Sequence, residues 1–279
     1  MHNVKKQMLL YTIPGVLNEA LILKRPSKTC KTPYVADITI NNDETVYLAH
    51  TPSLGCCGLA NKESTVIVSD ISNPKGVCVK SIQLAKFSTK DHTVYIGIHT
   101  KLAEIVTKSA IENNCIQELQ NVTQLEREKT FLNSRFDFTG IKQNGRRFIL
   151  EVKSVPLADY EDISAKDRKN KDYSDRAYNS KVAYFPDGYR KKKGAVVSPR
   201  ALKHINELKE ICLQGEIDTY MCYVIQRDDA SSFQTSVLDP TYKQAVQEAM
   251  DCGVKIITLQ IKWNEKGEAR FVTDCLPIN

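Results

Sequence analysis

The pattern of apolar and polar residues changes character along this chain of 279 residues. From residue 20 to about residue 100, short apolar runs alternate with turn residues: EALILKR, YVADITI, TVYLAH, STVIVSD, GVCVKSIQLAKF and TVYIGIH. Asn41-Asn42-Asp43, Pro52-Ser53-Leu54-Gly55 and Asn73-Pro74-Lys75-Gly76 punctuate them. Short strands at roughly 8–12-residue spacing predict a small β-barrel or sandwich. Five strands in about 80 residues suit an OB-type barrel, a scaffold for oligonucleotides. A small β-domain that only packs on its neighbour gives the same spacing. Residues 1–15 read as a poorly fixed tail.

Residues 101–113, KLAEIVTKSAIEN, switch to helical spacing through Leu102, Ile105, Val106, Ala110 and Ile111, with Thr100 as a cap. The domain boundary is placed here. Residues 133–155 then read NSRFDFTGIKQNGRRFILEVKSV, two alternating runs around Asn144-Gly145 and a strong hairpin signal. Phe136 and Phe138 share one face, Arg135 and Asp137 the other. Phe148, Leu150 and Val152 oppose Ile149, Glu151 and Lys153. A two-residue loop would set Asp137 opposite Val152 and mix the Phe pair with Glu151 and Lys153. A three-residue loop, Gln143-Asn144-Gly145 with Gly145 left-handed, sets Phe138 opposite Leu150 and Asp137 opposite Glu151. A one-residue slip flips every side chain, and only the second register yields one apolar and one charged face. That register is the expectation.

Residues 158–181 mix acids and bases without apolar period and read as a charged surface insertion, mobile or partly helical. Residues 190–193 are a basic run, Arg190, Lys191, Lys192 and Lys193, which suits a phosphate-contacting loop or a solvated charge run. A helix is expected over 198–213, with Pro199 in its first turn and Leu202, Ile205, Leu208, Ile211 and Cys212 as its apolar stripe. Arg200, Lys203 and His204 lie off that stripe. A strand over 218–227, a helix over 240–252 capped by Asp239 and ended by Gly253, and a strand over 254–263 follow. After residue 100 the order indicates an α/β or α+β domain with helices flanking a mixed sheet.

Composition narrows the class. Hydrophobic residues at 42% and charged residues at 26% are ordinary for a globular protein. No apolar stretch approaches the roughly 18 residues of a membrane span, and the start lacks a signal-peptide pattern. The expectation is an intracellular protein, cytoplasmic or nuclear, with no membrane partner. Nine cysteines without a CxxC pair read as free, mostly buried thiols rather than a zinc site. A net charge of +6 is compatible with a nucleic-acid partner without requiring one.

The hairpin carries the candidate chemistry. Asp137 and Glu151 on one face make a hard-oxygen site suited to Mg²⁺ or Mn²⁺. Lys153 beside them can orient a water or stabilise charge on a phosphate. An ordinary solvated charged face would show the same three residues. A helix face with Arg200, Lys203 and His204 could hold phosphate.

Beyond these signals, the chain resembles the sugar fermentation stimulation protein A (SfsA) family. The carriers are SRFDF at 134–138, EVKSV at 151–155, YFPD at 184–187 and RALKHINEL at 200–208, with IHTKLAEIVTKSAI at 98–111 a weaker match. The resemblance implies an OB-like barrel over 16–100 and a PD-(D/E)XK nuclease-like domain over 101–279. It implies DNA binding, and Asp137, Glu151 and Lys153 as metal and catalytic candidates; no element for base-specific reading is identifiable in the sequence, so the DNA partner is expected without sequence specificity. Arg135 and His204 follow as substrate contacts or supports. Ser109 stands where the family's linking helix carries an acid, Glu104 where it carries Asn, and Ala201 replaces a Gly. Ser53 and Cys57 replace residues of a short N-terminal motif. The expected function is a metal-dependent phosphodiesterase acting on DNA. The alternatives are DNA binding without turnover and a scaffold for a protein partner or small molecule; a homodimer is compatible with each.

Overall fold

In a computed structural model of the chain, the structure describes residues 7–40, 43–52, 58–186 and 197–279. Seven strands come first: β1 (Leu9–Thr12), β2 (Leu17–Lys24), β3 (Val35–Ile40), β4 (Tyr47–His50), β5 (Thr65–Asp70), β6 (Lys80–Ser88) and β7 (Thr93–Gly97). After α1 (Lys101–Glu112) follow β8 (Val122–Phe131), β9 (Ser134–Lys142), β10 (Arg147–Val155), β11 (Ala158–Asp159), α2 (Ala165–Arg168), β12 (Lys181–Phe185) and α3 (Pro199–Leu213). Then come β13 (Asp218–Ile225), β14 (Ala230–Thr235), α4 (Pro240–Asp251), β15 (Lys255–Trp263) and β16 (Glu268–Thr273). The fold is mixed α/β and mostly sheet. No helix among the described residues is long and apolar enough to cross a membrane.

The chain divides into two units. The first comprises Met1–Val106, Gln226–Asp228 and Ile261–Phe271. Here β2, β3 and β4 form an antiparallel meander. β5 pairs with β2 and β6 with β5, both antiparallel. β6 also meets β4 in parallel, with Ala49 and His50 opposite Lys80 and Ser81, so the pairings close a ring of five strands. Ala20, Ile22, Ile38, Val66, Val68, Ile82 and Leu84 fill its interior from alternate positions. Within the tail expected over 1–15, β1 pairs antiparallel with β16, Leu9 opposite Arg270; residues 1–6 lie outside the described residues. β16 has no counterpart in the sequence reading, which ends at the strand over 254–263; EARFVT is short and follows a turn at Asn264–Gly267.

The second unit comprises Thr107–Ile225, Asp229–Gln260 and Val272–Asn279. Its main sheet runs β15-β13-β10-β9-β8, parallel between β15, β13 and β10 and antiparallel outward to β8. Ser198 caps α3, its hydroxyl accepting from Ala201 N at 3.3 Å, and Asp239 caps α4 through Tyr242 N at 3.0 Å. Pro199 and Pro240 open the two helices, where a missing N–H costs nothing. Ile205, Leu208 and Ile211 pack from α3 against Tyr242, Ala245, Val246 and Ala249 of α4 and Met221 and Tyr223 of β13. Each buried aliphatic side chain contributes about 1.5–3 kcal/mol.

Three expectations need correction. β8 has no counterpart in the sequence reading, because as an edge strand it is largely exposed and shows no alternation. Residues 158–181 are partly helical, as expected, through α2, but they are also tied to the neighbouring strands. β11 pairs with β12, and the Asp162 carboxylate, 6% exposed, accepts from Gln234 Nε2 at 3.0 Å, Ser236 Oγ at 3.2 Å and Val237 N at 2.8 Å. Lys181 closes the segment on Asp229 at 2.7 Å and lies 3.9 Å over the Tyr178 ring. Its charges satisfy one another and the neighbouring strand rather than solvent alone. Among the described cysteines only Cys222 is buried; Cys30, Cys78, Cys115, Cys212 and Cys252 are half-buried and Cys275 is exposed.

Candidate functional site

The β9–β10 hairpin turns through Gln143, Asn144 and Gly145. Gly145 has φ +80°, and its N–H donates to Lys142 O at 2.9 Å while Lys142 N donates to Arg146 O at 2.9 Å. Glycine pays no steric penalty in this left-handed turn position. The loop therefore holds three residues, and Phe138 lies opposite Leu150 as the parity argument requires. The ladder ends at that pair. Beyond it the Val152 N–H donates to Asp137 Oδ2 at 2.7 Å, so a side chain occupies the place of the next strand-to-strand bond. The fork has a second consequence. Phe136 joins the core cluster that holds Ile149, with its ring 5.7 Å from that of His204, so the expected face pattern fails at Phe136.

β10 is a central strand covered on both sides, and Glu151 is 2% exposed. A solvated charged face is thereby excluded. Glu151 Oε1 accepts from Lys153 Nζ and from His204 Nδ1. A carboxylate only accepts, so Nδ1 carries the proton of that bond. Lys153 Nζ lies 3.5 Å from the same Nδ1. Glu151 Oε2 is buried without a hydrogen-bond partner. Burial pushes the Glu151 carboxyl up, but the bond from His204 and the charge of Lys153 outweigh it and hold the group below its ordinary range. Glu151 is therefore ionised at neutral pH despite its burial.

His204 is a correction: the helical pattern places it off the apolar stripe, yet it is 4% exposed and faces inward. Arg200 and Lys203 are exposed on α3; Lys203 donates to Asn133 O at 2.6 Å and pairs with Glu207 at 3.7 Å. Arg135 is exposed, 3.6 Å from Glu128. The structure thus brings Glu151, Lys153 and His204 together, fixes Asp137 on the residue after Glu151, and gives Arg135, Arg200 and Lys203 other partners or solvent. Arg190, Lys191 and Lys192 lie outside the described residues, as do Ser53 and Cys57.

Sequence reasoning missed the wall behind the site. Tyr223 and Tyr242 are fully buried, and their hydroxyls meet at 2.6 Å, with Phe185 packed on both rings. Burial raises both hydroxyls, and the nearby Glu151 charge adds to the effect at Tyr242. Scattered tyrosines give no periodic signal, so only their positions in the fold reveal them.

Two of these side chains are of the kind a divalent cation takes. Glu151 supplies an ionised carboxylate with one oxygen unmet, and Asp137 a second carboxylate at the strand fork. Among the described residues no three His, Cys, Asp or Glu side chains are placed to hold an ion. Mg²⁺ accepts one or two carboxylates, with water and phosphate completing its shell.

Fold and site together define a mixed α/β protein built on an Asp–hairpin–Glu-X-Lys core backed by a helix. The chain belongs to the SfsA family: residues 101–166 and 169–267 match the sugar fermentation stimulation protein RE domain. A sugar fermentation stimulation protein homolog of Alteromonas mediterranea is 31% identical over 80% of this chain and 84% of its own. One of Desulfotalea psychrophila is 27% identical over 81% and 83%. The solved structure of Pyrococcus furiosus SfsA in complex with Ca²⁺ has the same fold, with TM-score 0.74 at 20% identity over 98% of this chain and 99% of that one.

Proposed function

We propose that the second unit is a metal-dependent phosphodiesterase acting on DNA, in which Asp137 and Glu151 hold Mg²⁺ or Mn²⁺ and Lys153 assists the attacking water. The observation that carries this reading is Glu151: buried, ionised, and with one carboxylate oxygen unmet. Burying such a group is costly unless it has a task or a full set of partners. The Ca²⁺ complex of the P. furiosus relative supports a hard divalent ion. When bound, the ion would activate water and neutralise phosphate charge. Lys153 would steady the water or the charge developing on phosphorus. Arg135, Arg200, Lys203 and the basic run Arg190, Lys191 and Lys192 would supply phosphate contacts, so affinity should fall steeply with salt.

In this reading residues 16–100 form an OB-like domain and 101–279 the nuclease-like one. The closed ring β2-β3-β4-β6-β5, with its parallel β4–β6 pair, supports the OB-like reading. No observation supports the homodimer that the sequence left open.

A second reading is DNA binding without turnover. The two donors already on Glu151 Oε1, and Ser109 in place of a helix acid, favour it. A DNA cleavage assay with Mg²⁺ or Mn²⁺, run beside gel shifts with and without EDTA, separates the two. The first reading expects cleavage that Lys153→Ala abolishes. Binding that persists in EDTA and in Lys153→Ala, with no cleavage under either ion, establishes the second.

A further inference from the structure

We infer that His204 is a positioning residue for Glu151 rather than a contact for substrate: it anchors Oε1 so that Oε2 is the oxygen offered to the metal. The inference rests on the metal reading above and goes beyond it. His204 is buried at 4% exposure in the middle of α3, where a DNA backbone has no access. Its ring lies 5.7 Å from the Phe136 ring, tilted at 56°. Phe136 is itself fully buried, so the imidazole has an apolar wall that limits its rotation. Its Nδ1 meets Glu151 Oε1, the oxygen that also takes Lys153. Both donors therefore converge on one oxygen, and the other is left bare.

This asymmetry is the signal. A buried carboxylate kept only for stability would have both oxygens met, since an unmet buried acceptor costs about 1–3 kcal/mol or more. Here the partners are stacked on Oε1 while Oε2 is spared. A histidine N–H is suited to the task because it donates from a rigid ring along one direction, and it places the carboxylate without entering the ion's shell. Lys153 cannot do this alone. Its ammonium sits on a flexible stem, and the proposed reaction needs it at the water.

The test uses two variants of similar size in the full-length protein. Asparagine places its amide N–H₂ where Nδ1 of histidine lies; glutamine places it where Nε2 lies. Mn²⁺ affinity is measured by calorimetry, with the melting temperature of the metal-free protein alongside. His204→Asn is expected to keep Mn²⁺ affinity within about three-fold, and His204→Gln to lose about ten-fold or more, the usual effect of removing a support behind a metal ligand. A purely structural role would move the melting temperatures and leave the two affinities alike, which would overturn the assignment. A histidine that itself ligates the ion would make both variants lose affinity together, which would also overturn it. Absence of Mn²⁺ binding by the unaltered protein would overturn the metal reading first, and this inference with it.

Discussion

Asp137 has two separable roles, and a pair of substitutions resolves them. Its Oδ2 accepts the Val152 N–H at 2.7 Å where the β9–β10 ladder stops. In Asp137→Ala that N–H is left without its acceptor. An orphaned backbone donor costs about 1–3 kcal/mol, and because this bond is only part-buried the lower portion, about 1–2 kcal/mol, applies. For a chain of this size that is roughly 2–8 °C in melting temperature. Asp137→Asn keeps an oxygen in the same place and loses only the charge, so its stability should stay within roughly 0.5 kcal/mol of the parent. DNA cleavage should fall about a hundred-fold or more in both variants, since each removes a preorganised charge from the site. Thermal melts and single-turnover cleavage with Mn²⁺ report the two effects. If Asp137→Asn cleaves at the parent rate, the carboxylate is not a metal ligand. If Asp137→Ala melts with Asp137→Asn, the strand fork does not depend on this side chain.

Two further outcomes follow from charges buried in the second unit. Because His204 and Lys153 hold the Glu151 carboxyl below its ordinary range, its charge stabilises the fold above the unfolded value near pH ~4.3, and that stability is lost as pH falls through the folded value. Urea unfolding should therefore show Glu151→Gln less stable than the parent at pH 7, with the gap narrowing as the pH drops below about 4; a gap independent of pH would refute the assignment. Asp162→Ala removes the acceptor of three donors and should cost about 3 kcal/mol or more, at roughly 1 kcal/mol for each unmet group. Limited proteolysis should then cut within 158–181, and a parent-like digestion pattern would show that the segment is held by other contacts.

What the sequence could reveal depended on how many environments each residue samples. The hairpin turn was legible because Asn144-Gly145 readily takes the left-handed conformation that a tight turn needs, and because parity ties the paired side chains to one choice of loop. The ring strands were legible because their alternation survives burial on one face. β8 was not, since both its faces meet water and VTQLEREKTF carries no contrast. His204 was not, because a polar residue on a helix reads as outward unless its partner is known, and its partner lies 53 positions earlier. Phe136 was misread for a related reason: period-two reasoning assumes an unbroken ladder, and Asp137 ends this one. Residues 158–181 looked unstructured because their partners, Gln234, Ser236 and Asp229, come more than 40 positions later.

The pairing of β1 with β16 bears on how the molecule is made. Arg270 Nη1 donates to Gln7 O across a separation of 263 residues, and Phe271 N donates to Met8 O at 2.9 Å. Closing so large a loop adds little equilibrium cost, because the entropy grows only with the logarithm of length. Its effect is on timing. A chain emerging from the ribosome at roughly 5–20 residues per second would wait on the order of ten seconds or more between the synthesis of β1 and that of its partner. During that interval the first unit lacks β16 and the edge of β1 stays open. Such an edge invites pairing with other chains. The early strands of this protein thus have a built-in dependence on the synthesis of residues 268–273, and a nascent chain halted before residue 268 would carry an unfinished first unit however well the ring itself had formed.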